Sequence, residues 1–225
     1  MTDTEIAAGD NPSDRLTVAQ FSASSGVADW RAVWGAGYAA TQFLTGSFAA
    51  GLALVAAIGE LAAASGHDPD IDLRPEGLTV RLRTPEVHGL TSQDVSLARE
   101  ISAAAARLRV SADPSAVQHV QVAIDAMDIA RVRPFWQAVL GYAGFGDVDL
   151  LDAHRQGPSF WFQRMDAPRT ERNRFHIDIY VPADQAQARL DAALAAGGRI
   201  VRDNGPHWWT LADPEGNEAD LAIWG

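Results

Sequence analysis

The residues with most chemical potential in the first half of this 225-residue chain fall in one polar stretch. GHDPDIDLRPEGLTVRLRTPEVHGLTSQD runs from Gly66 to Asp94 and contains His67, Asp68, Pro69, His88 and Asp94. Imidazole and carboxylate groups gathered in this way are the types that move protons near neutral pH. The stretch lies between two long Ala-rich helical runs and reads as a ligand pocket built at a helix end and a strand end. Asp68, Asp70 and Asp72 alternate as in a calcium loop, but the sixth position would be Leu73 and the twelfth Thr79. A calcium loop needs Gly and Glu there, so the alternation is read as a solvent-facing extended segment.

A second constellation lies in the other half. HVQVAIDAMDIARVRPFWQAVLG begins at His119, and HIDIYVPADQAQARLDAALAAGG begins at His176. Each reads as a strand opening with His, an acidic turn, an Ala-rich helix and a terminal Gly. Spans of 44 residues separate His119 from Gln163 and His176 from Asp220. Matched offsets of this kind signal a duplicated βαβββ unit. Trp161, Trp208 and Trp209 fall near the ends of those spans. Strand alternation turns one of Trp208 and Trp209 toward the cup between the two units, where aromatic rings could stack a flat heterocycle. His154 and His207 have no visible partners.

Certain elements must position these residues. Leu16 to Trp34 reads as a strand or turn followed by a helix near Val27–Asp29, with Trp30 and Trp34 four apart on one face. Tyr38 to Phe43 suits a strand. Ser47 can cap a helix running to about Ser65, and Gly66 can stop it. Leu78 to Leu82 alternates as a strand with one buried face. Thr91-Ser92-Gln93-Asp94 puts a hydroxyl at the cap and an acid in the first turn of a helix reaching about Leu108. Ser111–Ser115 breaks the pattern. The expected organisation is a disordered leader over 1–13, a first domain over 14–110, a linker over 111–115 and a second domain over 116–225.

Composition excludes several classes. With 47% hydrophobic and 21% charged residues the chain can bury ordinary cores. A net charge of −11 argues against a nucleic-acid or anionic-membrane partner. There is no Cys, which removes thiolate nucleophiles, disulfides and Cys-ligated zinc. Every one of the 18 basic residues is Arg, which removes Schiff-base chemistry and the phosphate-loop Lys. The start lacks the basic-then-apolar order of a signal peptide. Phe48 to Ala64 is apolar but carries Glu60 and is shorter than the roughly 20 residues that span a bilayer. A buried helix, no membrane partner and a cytoplasmic location are expected.

Residues 14–110 resemble the pterin-4a-carbinolamine dehydratases, on GHDPDIDLR, LTVRLRT and GLTSQD with the helix after it. That resemblance implies a lyase that dehydrates a 4a-hydroxytetrahydropterin, as in 4a-hydroxytetrahydrobiopterin dehydratase. A general acid protonates the leaving hydroxyl and a base takes the ring N–H proton. His67, Pro69 and Asp94 match the family's His, Pro and Asp. Asp68 replaces a His or Asn, Pro75 an aromatic and Pro85 the His of the turn. The carry-over makes His67, Asp68, His88 and Asp94 the catalytic candidates and Pro69 a substrate contact, with Asp68 and His88 as the acid–base pair of an altered activity. The resemblance also implies a homodimer.

Residues 116–225 resemble the vicinal oxygen chelate superfamily of glyoxalases, bleomycin-resistance proteins and extradiol dioxygenases. The residues carrying this are Gln118-His119-Val120, Phe135-Trp136, Phe175-His176-Ile177-Asp178 and the turn Asp213-Pro214-Glu215-Gly216-Asn217. It implies a divalent transition metal held by His119, Gln163, His176 and Asp220, with Trp161, Trp208 and Trp209 against the substrate. The fold class is α+β: an N-terminal antiparallel sheet with helices on one face, then paired βαβββ units. The function is an altered pterin carbinolamine dehydratase acting on a pterin-like or other flat small molecule. A glyoxalase-like metal enzyme or a non-catalytic binding or scaffold protein are the alternatives.

Overall fold

The computed structural model describes residues 14–33, 37–169, 171 and 175–224. The expected leader over 1–13 and Trp34 lie outside them. The chain divides into two compact units, Met1–His119 and Val120–Gly225.

The first unit runs α1 (Val18–Ala23), β1 (Arg31–Val33), β2 (Tyr38–Leu44), α2 (Phe48–Ser65), β3 (Asp70–Arg74), β4 (Gly77–Leu82), a 3₁₀ turn (Pro85–Val87), α3 (Ser92–Arg107) and β5 (Ser111–Ala112). Its sheet has the order β1-β2-β4-β3, with β5 added beside β2, and every pair is antiparallel. Ala39, Phe43, Leu78, Val80 and Leu82 point to the helix side and meet Leu54, Ile58, Leu97 and Ile101 in one core. The opposite face carries the alternate residues, Tyr38, Gln42, Thr79 and Arg81.

The helix ends follow their local chemistry. Ser47 Oγ accepts the Ala50 amide at the start of α2, and Gly66 closes it in the left-handed region at φ 64°. Gly51 is buried because α2 crosses β3 closely there; a Cβ on it would collide with Leu73 Cδ1. α2 is the one described helix long and apolar enough to cross a membrane, yet it packs on the sheet through Gly51, Leu54, Ile58 and Ala62.

Two expectations are corrected. The helix near Val27–Asp29 is absent: the helix lies earlier, at Val18–Ala23, where Thr17 and Gln20 form a capping box. Trp30 ends a turn and donates Nε1–H to Ala98 O and Ser102 Oγ. The expected linker belongs to the first unit: Ser111 and Ala112 pair with Leu44 and Phe43, and Asp113 N–H donates to Gln42 O.

The second unit repeats one plan. β6 (Gln121–Ala126), α4 (Ile129–Leu140), β7 (Ala143–Phe145), β8 (Asp149–Leu151) and β9 (Ser159–Arg164) form the first half. β10 (Ile177–Pro182), α5 (Ala183–Ala195), β11 (Arg199–Asn204), β12 (Trp208–Ala212) and β13 (Glu218–Trp224) form the second. The sheets have the orders β6-β9-β8-β7 and β10-β13-β12-β11, each with its first and last strands parallel. Both halves contribute to one core, which includes Phe135, Trp136, Phe160, Leu190 and Leu221.

Candidate functional site

In the first unit α2 ends at Gly66 and delivers His67 into the interior, 6% exposed. α3 begins at Thr91 and presents Asp94 from its first turn. His67 Nε2 and Asp94 Oδ1 lie 2.8 Å apart. Asp94 is fully buried, and its other oxygen accepts Thr84 Oγ1–H at 2.7 Å and the Thr91 amide at 2.7 Å, with Thr91 Oγ1 at 3.3 Å. Thr84 and Thr91 hydroxyls are 2.9 Å from each other.

This geometry fixes the imidazole. A buried carboxylate is tolerated because donors saturate it. An acceptor at Nε2 sets that nitrogen as the N–H, so Nδ1 carries the lone pair that can take a proton. The Asp94 side chain also accepts the Thr91 amide as the N3 half of a capping box, so one carboxylate closes a helix and orients a histidine.

The turn between β4 and α3 places the remaining candidates. Thr84 and Gly89 exchange backbone hydrogen bonds across it. Pro85 opens the 3₁₀ turn and is exposed, so no titratable group stands there. His88 closes that turn in the left-handed region at φ 47° and is exposed. Asp68 is exposed and Pro69 half-buried. Pro75 sits at the tip of the β3–β4 hairpin, outside the pairing that ends at Arg74 and Gly77. The structure thus joins His67 to Asp94 in one buried network and leaves Asp68 and His88 outside it. Thr84 was not singled out from sequence; its hydroxyl reaches Asp94 only once the turn closes.

His119 also lies in the first unit. Its Nδ1 is 3.1 Å from the Tyr38 hydroxyl, and the rings meet edge to face. The Arg81 guanidinium stands 5.9 Å from the Tyr38 ring centroid. Burial, helped by the Arg81 charge, holds the His119 imidazole below its ordinary pKa. Burial raises the Tyr38 phenol, against the opposing pull of Arg81. A neutral His119 whose Nδ1 accepts a hydrogen bond from the Tyr38 hydroxyl is compatible with both directions.

In the second unit His176 precedes β10 and Asp178 follows on the same strand face. Asp178 pairs in register with Asp220 of β13. His176 Nε2 lies 3.2 Å from Asp178 Oδ1 and 3.5 Å from Asp220 Oδ2. One ligand atom from each residue falls within 4.8 Å of the others. Asp220 Oδ1 is buried with no hydrogen-bond partner. One imidazole and two carboxylates, one of which has a buried oxygen without a hydrogen-bond partner, are a donor set that fits a divalent cation of the Mn, Fe or Zn type.

The four-residue metal set is thereby divided. His176 and Asp220 come together, and Asp178 joins them. His119 belongs to the first unit, on Tyr38. Gln163 pairs with Asp125, six residues beyond His119, whereas Asp220 pairs with Asp178, two beyond His176. Four residues of strand carry Gln163 roughly 13 Å past the equivalent level. The equal sequence spans conceal this because the two sheets pair in different registers. The signal for Asp178 was its place two residues after His176.

The tryptophans separate by alternation. Trp208 shares a face with Thr210 and hence with Asp220, while Trp209 packs in the core. Trp161 and Gln163 lie opposite Phe160 and Phe162, which are core. Trp209 therefore has no surface to offer a substrate.

The fold and these sites define an α+β chain in which a small antiparallel-sheet domain precedes a paired βαβββ domain. The family model "Pterin 4 alpha carbinolamine dehydratase" matches residues 14–104, and "Glyoxalase-like domain" matches 121–222. A relative from Nocardia farcinica named "Putative pterin-4-alpha-carbinolamine dehydratase" is 47% identical over 55 residues, 24% of this chain and 58% of its own length. One of the same name from Mycobacterium leprae is 37% identical over 73 residues, 32% of this chain and 76% of its own length. A glyoxalase-related enzyme from Fulvimarina pelagi is similar at 17% identity over 48% of this chain and 88% of its own, with a TM-score of 0.39. The chain belongs to the pterin-4a-carbinolamine dehydratase family through its first unit, fused to a glyoxalase-like second unit. It spans under two thirds of the length of the first curated relatives it matches, 58% and 59% for two of them.

Proposed function

We propose that the first unit is a carbinolamine dehydratase-type lyase for a pterin-like heterocycle, with a reduced proton-transfer set. The observation that supports it most is the buried His67–Asp94 pair held by Thr84 and Thr91. His67 Nδ1 takes the ring N–H proton, and Asp94 stabilises the imidazolium that forms. His88, three residues beyond the position now held by Pro85, donates the proton to the leaving hydroxyl. Because His88 is exposed and stands outside the buried network, this donation is less organised, and the rate is low for that reason. The assay is loss of a 4a-hydroxytetrahydropterin with purified protein. His67→Ala removes the acceleration, and His88→Ala reduces it. Background decay with the unaltered protein, or full activity in His67→Ala, refutes the assignment.

A second reading rests on a separate observation, the orphaned Asp220 Oδ1 beside His176 and Asp178. In it these three residues hold a divalent metal, which when bound polarises a substrate oxygen as a Lewis acid. Trp208, on the same face as Asp220, gives a planar surface for that substrate. Elemental analysis of protein purified without chelator tests it, with Asp220→Asn as control. No stoichiometric metal and no binding on titration sink the second reading. A cytoplasmic location goes with either activity.

A further inference from the structure

We infer that Arg202 is the specificity-determining residue of the second unit's site, where it holds the carboxylate of a small planar ligand whose other end faces His176, Asp178 and Asp220. The inference rests on the second reading above and adds the class of ligand to it. Cross-strand register carries it. Asp178 of β10 pairs with Asp220 of β13, Asp220 with Thr210 of β12, and Thr210 with Arg202 of β11. Residues directly opposite one another share a side of the sheet. The neighbours Trp209, Leu211 and Leu221 lie in the core, so these four form one row on the face away from it. Strands lie about 4.8 Å apart, which puts the Arg202 backbone roughly 10 Å from that of Asp220.

Arg202 joins that row at an irregularity. The ladder between β11 and β12 shifts register between Ile200 and Arg202. Continued unbroken from Ile200, it would set Val201 opposite Thr210; the extra residue sets Arg202 there instead. Bulges of this kind re-aim side chains beside ligand sites. Arg199, on the same strand, commits its guanidinium to Asp213 O. Arg202 is exposed and makes no hydrogen bond or ion pair with any described residue. It is the single cation of the row, on the far side of Thr210 from the two carboxylates.

The neighbouring row gives the ligand its shape. Tyr180, Ala222 and Trp208 pair across β10, β13 and β12, about 7 Å along the strands from the first row. Ala222 is small, so the gap between the two aromatic side chains is open above it to a flat ring. Charge gives the ligand its anionic group. A guanidinium presents a planar fork that matches a carboxylate with two parallel hydrogen bonds. A phosphate dianion fits worse, because one guanidinium faces it while Asp178 and Asp220 repel it from the same row. A ring with a neutral oxygen at one end and a carboxylate at the other spans the row.

Calorimetric titration of the full chain, loaded with Mn(II), tests this with 4-hydroxybenzoate and its uncharged counterpart 4-hydroxybenzamide. The acid is expected to bind roughly ten- to a hundredfold more tightly than the amide, the difference that charge-assisted hydrogen bonding makes. Arg202→Gln makes the two bind alike, Arg202→Lys keeps part of the difference, and Arg199→Gln leaves it unchanged. All three variants keep the fold by far-UV circular dichroism and still bind Mn(II). Equal affinities for acid and amide in the unaltered protein, no binding of the acid, or a preference that survives Arg202→Gln overturns the inference. So does a preference lost equally in Arg199→Gln. If Mn(II) itself does not bind, the second reading fails alone: the acid is then compared with the amide on the metal-free protein, and the comparison still reads Arg202.

Discussion

Asp94 carries two jobs on one carboxylate, and its substitution separates them. Asp94→Asn keeps the size but replaces one acceptor oxygen with a donor nitrogen facing His67 or Thr84. The imidazole then loses the partner that fixes its tautomer. The proposed dehydration should fall by on the order of 10²–10⁴. Stability falls by about 1–3 kcal/mol as a buried donor loses its acceptor, read from the urea midpoint. An unchanged rate with a shifted midpoint leaves Asp94 as a helix cap alone. His119 gives a second prediction at this scale. Its folded pKa lies below the ordinary 6.5, through burial first and Arg81 second. A depressed folded value means its contribution is fully present above 6.5 and is lost as pH falls through the folded value. An NMR titration should place the His119 midpoint below 6.5, and Arg81→Gln should raise it. A midpoint at or above 6.5 would show that burial and Arg81 do not govern this imidazole.

At the scale of elements, the turn Asp213–Asn217 joins the halves of the second unit. Glu215 accepts the amides of Met127 and Asp128, both at 2.7 Å, just ahead of α4. Asp213 accepts Trp136 Nε1–H at 2.9 Å from the same helix. Glu215→Ala leaves two amides at a helix start without their acceptor and should cost roughly 1–3 kcal/mol, with Glu215→Gln intermediate, both measured by urea unfolding. A loss under a few tenths of a kcal/mol would mean that water replaces the carboxylate. The turn was visible in the sequence as a fold marker, but what it touches was not, because the partners lie far back along the chain. The same limit applies elsewhere. Ser47, Gly66 and the Thr91–Asp94 cap were legible because capping is local chemistry within a few residues. The Pro85 loss was legible for the same reason. The α1 position was missed because Trp30 and Trp34 suggested a helical face where the chain instead turns into β1. The four-residue register difference between β6–β9 and β10–β13 is set by hydrogen bonding across strands, so equal spans of sequence could not reveal it.

At the scale of the whole chain, the two units have separate cores. Phe21, Phe43, Ile58, Leu82 and Ile101 belong to one, and Phe135, Phe160, Leu190, Leu211 and Leu221 to the other, with no described residue common to both. Each unit holds about a hundred residues, a size at which single domains unfold all-or-none. Calorimetry should therefore resolve two transitions rather than one. Ile58→Ala, fully buried in the first core, should lower only one of them, by about 2–5 kcal/mol. Leu221→Ala, fully buried in the second, should lower only the other. A divalent cation held by His176, Asp178 and Asp220 would raise the second transition alone, by about 2.7 kcal/mol at a hundred times its dissociation constant. A pterin held at His67 would raise the first alone. The pattern of shifts thus assigns each ligand to its unit without any assay of turnover. A single transition moved equally by both core substitutions would show that the units unfold as one block.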